Sequence, residues 1–422
     1  MYDHSFNKDT IRRELRKSDF FKNRAIHNEA ERLKLINSAL EIAFQYPKST
    51  QLTSKETLKN KPINRSISLE SQLLIRRTNR NIKRSRPIKT IDRDTIVANI
   101  KTLLSEGVPY RIYRLDIKAF YESFPETMIR ETINNLPEVS STTKGLLHRL
   151  LDENHSTYGT GLPRGLAVSA TLSELLMKNF DKTISSREGV FFYARFVDDI
   201  VIITDCKENK KEFKKSISIS LPGGLKLNQE KVQIKEANQR VKPFAPSKST
   251  SEILSFEYLG YQFTVKEPLE IKGKKPGQHF RSVELDIAKS KIKKIKTRIT
   301  LAIMDYCRKP DPALLKLRIK YLTCNFSIPD RDKNKRRLAG IYFNYKRINE
   351  STSSSLKELD EYLKKSITSS TGKIFLSFYT NSNKSLRSDL LRNSFTRGFN
   401  DKTFIYFSSE QLINIQKCWN YA

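Results

Sequence analysis

The ten residues from Tyr193 to Ile202 read Tyr-Ala-Arg-Phe-Val-Asp-Asp-Ile-Val-Ile, which sets two adjacent carboxylates, Asp198 and Asp199, between two strongly β-forming runs. Val, Ile, Phe and Tyr favour a pleated, half-buried strand, so charge in their midst is costly unless a cation or hydrogen bonds compensate it. Taken alone, the pair is an ordinary hairpin tip, because Asp bonds its own backbone in turns. A third carboxylate changes that reading. Tyr110 to Phe124 is a β-like run that ends at Asp116 and breaks into a turn, so a strand delivers that carboxylate at its end. Two divalent ions about 3.5 to 4 Å apart clamp the attacking and leaving oxygens of a phosphoryl transfer, and carboxylates from two strands can hold them. Asp116 and Asp198 meet that need, with Asp199 beside them and the carbonyl of Ile117 as a further oxygen ligand. Hard oxygen donors point to Mg2+ or Mn2+.

Between the two strands, Gly161-Leu-Pro-Arg-Gly-Leu-Ala-Val-Ser-Ala runs from a Gly/Pro loop into good helix formers. Gly161 and Gly165 permit a close approach of backbone to substrate, and Arg164, near a helix start, is placed to reach a phosphate or sugar. Alone, this loop is a turn before a core helix. Downstream, Leu225-Lys-Leu-Asn-Gln-Glu-Lys231 and Phe256-Glu-Tyr-Leu-Gly-Tyr-Gln-Phe263 complete an ordered series of five elements.

Periodicity locates the elements that must position these residues. Ile26, Leu33, Ile36, Leu40 and Ala43 recur mostly at three- and four-residue steps, which predicts an amphipathic helix from Asn23 to Tyr46, ended by Pro47. Residues 48 to 68 are rich in Ser, Thr, Lys and Asn and read as a mobile or edge segment. Asp94 to Glu106 reads as a helix with Ile96, Ile100, Leu103 and Leu104 on one face. Near residue 270 the strand pattern gives way to a long basic helix, with Ala288, Ile292, Ile295, Ile299 and Ile303 on one face and Lys289, Lys293 and Lys296 among the cations on the others. Further helices are expected at Pro312 to Leu322, Arg336 to Ile348 and Ser355 to Ile367. Loops and strands are expected at Lys373 to Tyr379 and Thr403 to Phe407, before a last helix from about Ser409.

Among 422 residues, 78 Lys and Arg face 46 Asp and Glu, a formal charge of +32. A polyanionic partner follows, nucleic acid ahead of membrane, because no run of about 18 apolar residues is present. The polar, charged stretch Met1 to Asp19 argues against export, and a cytoplasmic location is expected. The four cysteines lack CxxC spacing and the five histidines are dispersed, so neither a zinc site nor a disulfide framework is indicated. The stretch Arg76 to Arg93 is dense in cations, opposed only by Asp92; next to a catalytic strand, phosphate binding is favoured over a solvated charged face. The basic helix is either a core helix with a soluble exterior or lies along a nucleic-acid backbone, and the total charge favours the latter.

With its five elements in order, the chain resembles a reverse transcriptase over about residues 80 to 270, with a thumb-like helical region beyond. Asp116 matches the first catalytic aspartate, and Phe196-Val-Asp-Asp199 matches the Tyr/Phe-x-Asp-Asp motif that supplies the second and third. The resemblance implies an α+β right-hand polymerase fold, fingers and palm with an antiparallel sheet flanked by helices, plus an α-helical thumb. Its divisions fall at 1–70 (N-terminal helical extension), 71–270 (fingers and palm), 271–370 (thumb) and 371–422 (C-terminal extension). By the same resemblance Tyr121 is the aromatic gate beneath the sugar, while Phe120 and Tyr121 read alternatively as core aromatics, a role expected of one of the two, and Lys231 lies near the incoming triphosphate. Arg86 and Lys89 lie in the fingers, and Tyr258, Leu259 and Gly260 form the tip of a primer-grip hairpin. The implied partners are dNTPs, a DNA product and an RNA template or noncoding RNA.

The central loop departs from the Pro-Gln-Gly usual in retroviral, group II intron and retron enzymes: here it is Pro163-Arg164-Gly165. That wording, and the absence of the Asn-Ala-x-x-His and Val-Thr-Gly signatures of retrons, is similar to bacterial reverse transcriptases of the abortive-infection, antiphage-defence class. The closest fit is the smaller polymerase of two-polymerase systems, which implies a second reverse transcriptase or a homo-oligomer as partner. Some enzymes of that class attach product to a protein hydroxyl. Tyr342, Tyr345, Tyr362, Tyr379 and Tyr406 are candidates, with core packing the simpler role for most. Two other functions compete: a nucleic-acid-binding scaffold whose polymerase core is dispensable, and a two-metal nuclease. Intact Asp116, Asp198 and Asp199 weigh against the first, and Tyr121 with the Leu259-Gly260 hairpin against the second.

Overall fold

Strand alternation around Tyr113, Leu115, Ile200 and Ile202 organises the half of the chain that carries the carboxylates. A computed structural model describes residues 2–45, 50–58, 61–85, 91–158, 160–239, 251–267, 280–329, 335–349 and 353–419. The chain divides into two compact units, Met1–Ile91 with Tyr110–Ile234, and Asp92–Pro109 with Lys235–Ala422. This division cuts across the boundaries expected at residues 70 and 270. The N-terminal residues share a unit with the carboxylates, and the helix Arg93–Leu104 belongs with the C-terminal half.

In the first unit, β1 (Thr53–Leu58) and β2 (Lys61–Ser66) form an antiparallel hairpin where composition predicts a mobile or edge segment. Their polar side chains hide the pairing, which a distant carboxylate supports: Leu52 and Thr53 donate backbone N–H bonds to Glu153, at 2.8 and 3.0 Å. The helix predicted from Asn23 spans Glu29–Phe44 instead. Asn28 caps it through the N–H groups of Ala30 and Glu31, leaving Ile26 in a separate short turn and Leu33 exposed.

Strands β3 (Tyr110–Asp116), β4 (Val190–Phe196) and β5 (Asp199–Thr204) follow, with β5 between the other two and antiparallel to both. A central strand is covered on both faces, which is why Ile200-Val-Ile-Ile is a continuous apolar run. Side chains alternate along each strand, so Tyr113, Leu115, Ile200 and Ile202 enter a core shared with Phe120, Phe124, Leu172 and Phe180. Asp116 and Asp199 thereby take the opposite face. Leu172, Leu176 and Phe180 belong to the helix Ala167–Ser185, whose buried residues also include Val168 and Ile184, at helical spacing.

The basic run predicted to bind phosphate is largely an internal tie. On the helix Leu69–Ser85, Arg76 grips Asp19 with two bonds of 2.6 and 3.0 Å, Arg77 donates to the carbonyl of Ser5, and Arg80 meets Glu14 at 2.9 Å. Acids of the N-terminal segment thus take up guanidinium groups that the sequence alone leaves available. Arg86 and Lys89 lie outside the described residues.

The second unit follows from β6 (Gln233–Ala237), where the division between units falls. It holds an antiparallel meander, β7 (Glu252–Tyr258), β8 (Tyr261–Lys266) and β9 (Ser282–Ile287), then the long helix Lys289–Arg308 and the helix Pro312–Thr323. A ladder of β10 (Asn325–Pro329) with β11 (Arg336–Gly340) replaces the first part of the helix expected over Arg336 to Ile348. Only Ile341–Tyr345 is helical there. The break is at Gly340, whose φ of 115° and closeness to the Cys324 carbonyl leave no room for a Cβ. The segment expected as loop or strand from Lys373 is a helix, Lys373–Asn381, because Ile374, Phe375 and Phe378 recur at helical rather than alternating steps. Among the described residues no helix is long and apolar enough to cross a membrane.

Burial pushes the Asp19 carboxyl up, but its hydrogen bonds with Arg76 and the Arg16 N–H and the arginine charge hold it net below the usual carboxylate range. A depressed folded pKa stabilises above the unfolded value and loses that contribution as pH falls through the folded one. Arg76→Ala, which strands a buried carboxylate, is expected to lower the denaturant midpoint by the equivalent of about 3–5 kcal/mol at pH 7. The difference from wild type should shrink on acidification below about pH 4, and Asp19→Leu combined with Arg76→Met should lose far less.

Candidate active site

Asp116 ends β3 and Asp199 begins β5, directly opposite one another in the ladder, so both carboxylates emerge on one face. Phe196 pairs with Asp199 across β4 and β5, which leaves a turn of two residues, Val197 and Asp198. Val197 has φ 61°, a region that β-branched residues rarely enter and that tight hairpin turns reserve for Gly or Asn. Strain of this kind persists where surrounding structure over-determines it, and it concentrates at functional sites. The Ile117 N–H donates to the Asp198 carbonyl at 3.0 Å, tying the turn to the end of β3.

A third segment closes on Asp116. Asn228 donates its backbone N–H to the Asp116 carbonyl at 2.7 Å and its side-chain Nδ2 to Oδ1 at 3.2 Å, while Lys231 Nζ lies 2.9 Å from Oδ2. Lys231 is therefore beside the carboxylates and answers the charge of Asp116 directly. Burial, and then the charge of Asp116, push Asp198 above the usual carboxylate range. Asp199 is pushed up to about 6, first by burial and then by the charges of Asp198 and Asp116.

This repulsion is what a divalent cation relieves, and the donor set is all oxygen, which fits a hard ion. The side chains do not form a closed cage: among the described residues no group of three or more His, Cys, Asp or Glu is arranged to hold a metal. Asn228 and Lys231 occupy both oxygens of Asp116 instead.

Phe120 is core, 3% exposed, and Tyr121 is the half-buried member of the pair. Burial and the neighbouring charge of Asp198 raise the Tyr121 hydroxyl, which places its ring in the field of the carboxylate turn. Gly161 and Gly165 both take positive φ, and an added Cβ would lie 2.4 Å from the Tyr121 carbonyl oxygen and 2.7 Å from that of Asn64. Both glycines serve close backbone packing within the protein. Arg164, expected to reach phosphate or sugar, directs Nε and Nη2 to Glu122 Oε1 at 2.8 and 2.6 Å.

In the second unit, Leu259 and Gly260 both have positive φ and form the two-residue tip of the β7–β8 hairpin. Tyr258 is 1% exposed, so its side chain is core and not a contact surface. Arg93 braces the tip by donating to the Leu259 carbonyl at 2.7 Å. Lys289, Lys293 and Lys296 line a groove of about 570 Å3 with Thr297, Thr300 and Tyr362. Lys296 is paired there with Glu358 at 2.6 Å.

Sequence reasoning passed over Asn228 and Glu122. The first stands inside the quoted Leu-Lys-Leu-Asn run, where its adjacency to Lys231 was a usable signal; nothing in a separation of 42 residues links Glu122 to Arg164. It also missed the pairing of the buried Arg195 with Glu174 and Asp181, at 2.7 and 2.8 Å, which anchors β4 to the helix Ala167–Ser185.

A family model described as reverse transcriptase (RNA-dependent DNA polymerase) matches residues 49–263, half of the chain, including Asp116, Asp198 and Asp199. The chain belongs to the reverse transcriptase family. Its α+β architecture of antiparallel sheets flanked by helices is the polymerase fold expected from the motifs. Among solved structures it is similar to telomerase from Candida tropicalis in complex with a TWJ fragment of telomeric RNA, at 13% identity and a TM-score of 0.35, covering 88% of this chain and 65% of that one. Telomerase from Candida albicans with the same kind of fragment gives 13% identity and a TM-score of 0.31, covering 82% and 56%. A truncated apo telomerase from Candida tropicalis gives 14% and 0.32, covering 46% and 43%. The chain thus spans 43 to 65% of the length of these telomerase chains. No curated protein matches it.

The raised pKa of Asp199 has a signed consequence. Its folded value of about 6 lies above the unfolded one, so the contribution of this carboxyl to stability is lost as pH rises from about 4 to about 6 and is not regained above it. In chelator at pH 7.5, Asp199→Asn is expected to be more stable than wild type by about 2–3 kcal/mol. Below about pH 4 the advantage should vanish, as guanidinium unfolding at the two pH values will show.

Proposed function

We propose that this reverse transcriptase is an RNA-directed DNA polymerase that adds dNTPs at Asp116, Asp198 and Asp199, with its first unit as fingers and palm and its second containing the thumb. The observation that carries the reading is the cross-strand pairing of Asp116 with Asp199 beside the strained Val197-Asp198 turn. Divalent metals such as Mg2+ are general to reverse transcriptase domains. Asp116 and Asp198 would hold them here, with Asp199 and the Ile117 carbonyl in support, and when bound they neutralise charge developing on the α-phosphate.

The chain's own residues perform the remaining work. A 3′-hydroxyl, or another priming hydroxyl, attacks the α-phosphorus of the dNTP bound over Tyr121, whose bulk disfavours a 2′-hydroxyl. Lys231, 2.9 Å from Asp116, is placed to donate a proton to the departing pyrophosphate. The Leu259-Gly260 tip holds the primer strand, and Lys289, Lys293 and Lys296 follow a nucleic-acid backbone. The Pro163-Arg164-Gly165 wording supports placement in the bacterial antiphage-defence class, working in the cytoplasm with a noncoding RNA and a second polymerase or another copy of itself.

Purified protein with its co-purifying RNA is expected to incorporate labelled dNTP. Asp198→Ala and Asp116→Ala should each lower the rate by several orders of magnitude, and incorporation surviving loss of both Asp198 and Asp199 would sink the assignment. Reversing charge at Lys289 and Lys293 should weaken nucleic-acid binding and flatten its dependence on salt, read from titrations across a salt series. One observation favours a scaffold in place of an enzyme: Asn228 and Lys231 occupy both oxygens of Asp116. A variant lacking all three carboxylates that still protects cells from phage would establish that reading.

A further inference from the structure

Five contacts converge on the turn that carries Tyr121 and Glu122. The Leu162 N–H donates to the Tyr121 carbonyl at 2.8 Å, and Thr160 Oγ1 donates to the Glu122 carbonyl at 3.2 Å. Gly161 lies so close to the Tyr121 carbonyl that a Cβ there would be 2.4 Å from its oxygen. Arg164 grips Glu122 Oε1 through Nε and Nη2, and its guanidinium carbon stands 5.7 Å from the centre of the Tyr121 ring. The arginine is itself fixed, because its carbonyl accepts the Asn64 N–H at 2.7 Å and the following Gly165 abuts the Asn64 carbonyl. On its other side Tyr121 meets Ser173 through its hydroxyl and feels the charges of Asp198 and Glu174.

We infer that Glu122 and Arg164 form one clamp that positions the Tyr121 ring and so sets the discrimination between deoxyribose and ribose. The inference rests on the polymerase reading for the identity of the substrate, while the clamp itself rests on the contacts above. A gate works by bulk at a fixed place. The Phe120 ring, edge-on at 5.3 Å, and the Ser173 contact restrain Tyr121 in part, and a planar cation fixed against its face removes χ freedom that these leave. Glu122 supplies the fixing: both guanidinium nitrogens converge on one oxygen, and Oε2 is buried without a hydrogen-bond partner. The carboxylate therefore depends on Arg164 as much as Arg164 depends on it, and loss of either partner releases the other. Lys at 164 would keep the charge and lose the planar fork that both faces the ring and meets the carboxylate.

The test uses the full chain with 3-fluorotyrosine at position 121, and the variants Glu122→Gln, Arg164→Gln, Arg164→Lys and the Glu122→Gln/Arg164→Gln double. In metal-free protein the 19F resonance of Tyr121 should shift and broaden in all four variants while the unfolding midpoint confirms a folded chain. With Mg2+ and template, the ratio of kcat/KM for dNTP over rNTP should fall about tenfold in each single variant and no further in the double. An unmoved resonance in Glu122→Gln overturns the clamp whatever the activity. So does a Glu122→Gln enzyme with wild-type discrimination beside an Arg164→Gln enzyme with a raised KM for dNTP, the pattern of an arginine that binds phosphate directly. A wild-type chain that incorporates neither nucleotide refutes the polymerase reading, and the spectrum then judges the positioning of Tyr121 by itself.

Discussion

Asp116 ends β3, Asp199 begins β5 and Asp198 lies in the β4–β5 turn, where burial and the neighbouring carboxylates raise the proton affinity of both members of the adjacent pair. Keeping like charges together in a low-dielectric setting requires a frame that cannot relax away from them. The continuous apolar run of β5, buried on both faces, is that frame: Ile200 and Ile202 lock the register with Leu115 and Tyr113, and a one-residue slip would turn the carboxylates into the core. The positive φ of Val197 follows from the same demand, because a two-residue turn is what brings Asp198 back to the end of β3.

Repulsion held by a frame still needs an opposite charge, and the chain supplies one from a segment more than a hundred residues downstream of Asp116. Lys231 is more than half exposed, yet its ammonium meets a carboxylate that is itself buried. Such a pair is easily exchanged: the lysine can move into solvent, while the carboxylate cannot, so another positive charge brought to Asp116 would displace the lysine and leave the strands in place. The arrangement therefore keeps the site intact without making its counter-charge permanent.

The strands and the carboxylates were legible because their signals are local. Alternation and a strand-ending Asp identify β3, and an Asp-Asp between β-branched runs identifies the β4–β5 hairpin. What sequence could not carry was pairing between distant segments. The β1–β2 hairpin has no apolar alternation and is steadied by Glu153, a residue of a helix about a hundred positions away. Arg336–Gly340 carries residues compatible with a helix and becomes a strand because β10 lies beside it. Arg164 invited a reading as a substrate contact because an exposed-looking arginine in a Gly/Pro loop has no visible partner until Glu122 is brought against it.

The same distinction separates two meanings of positive charge. The formal +32 governs the field at a distance, which steers a polyanion whatever its cations touch locally. Contact is another matter: Arg76 and Arg80 are each committed to an internal carboxylate, so the densest arginine run offers fewer phosphate ligands than its composition suggests, and Arg195 is committed in the same way on β4. Lysines at 289 and 293 are exposed along the wall of a groove, and their flexible stems suit a backbone whose phosphates need no fixed geometry. Arginine at Asp19 and Glu122 builds structure through its planar fork, which meets both oxygens of Asp19 and one oxygen of Glu122 with two nitrogens. Lysine is left to the places where charge must stay exchangeable, at Asp116 and along the groove.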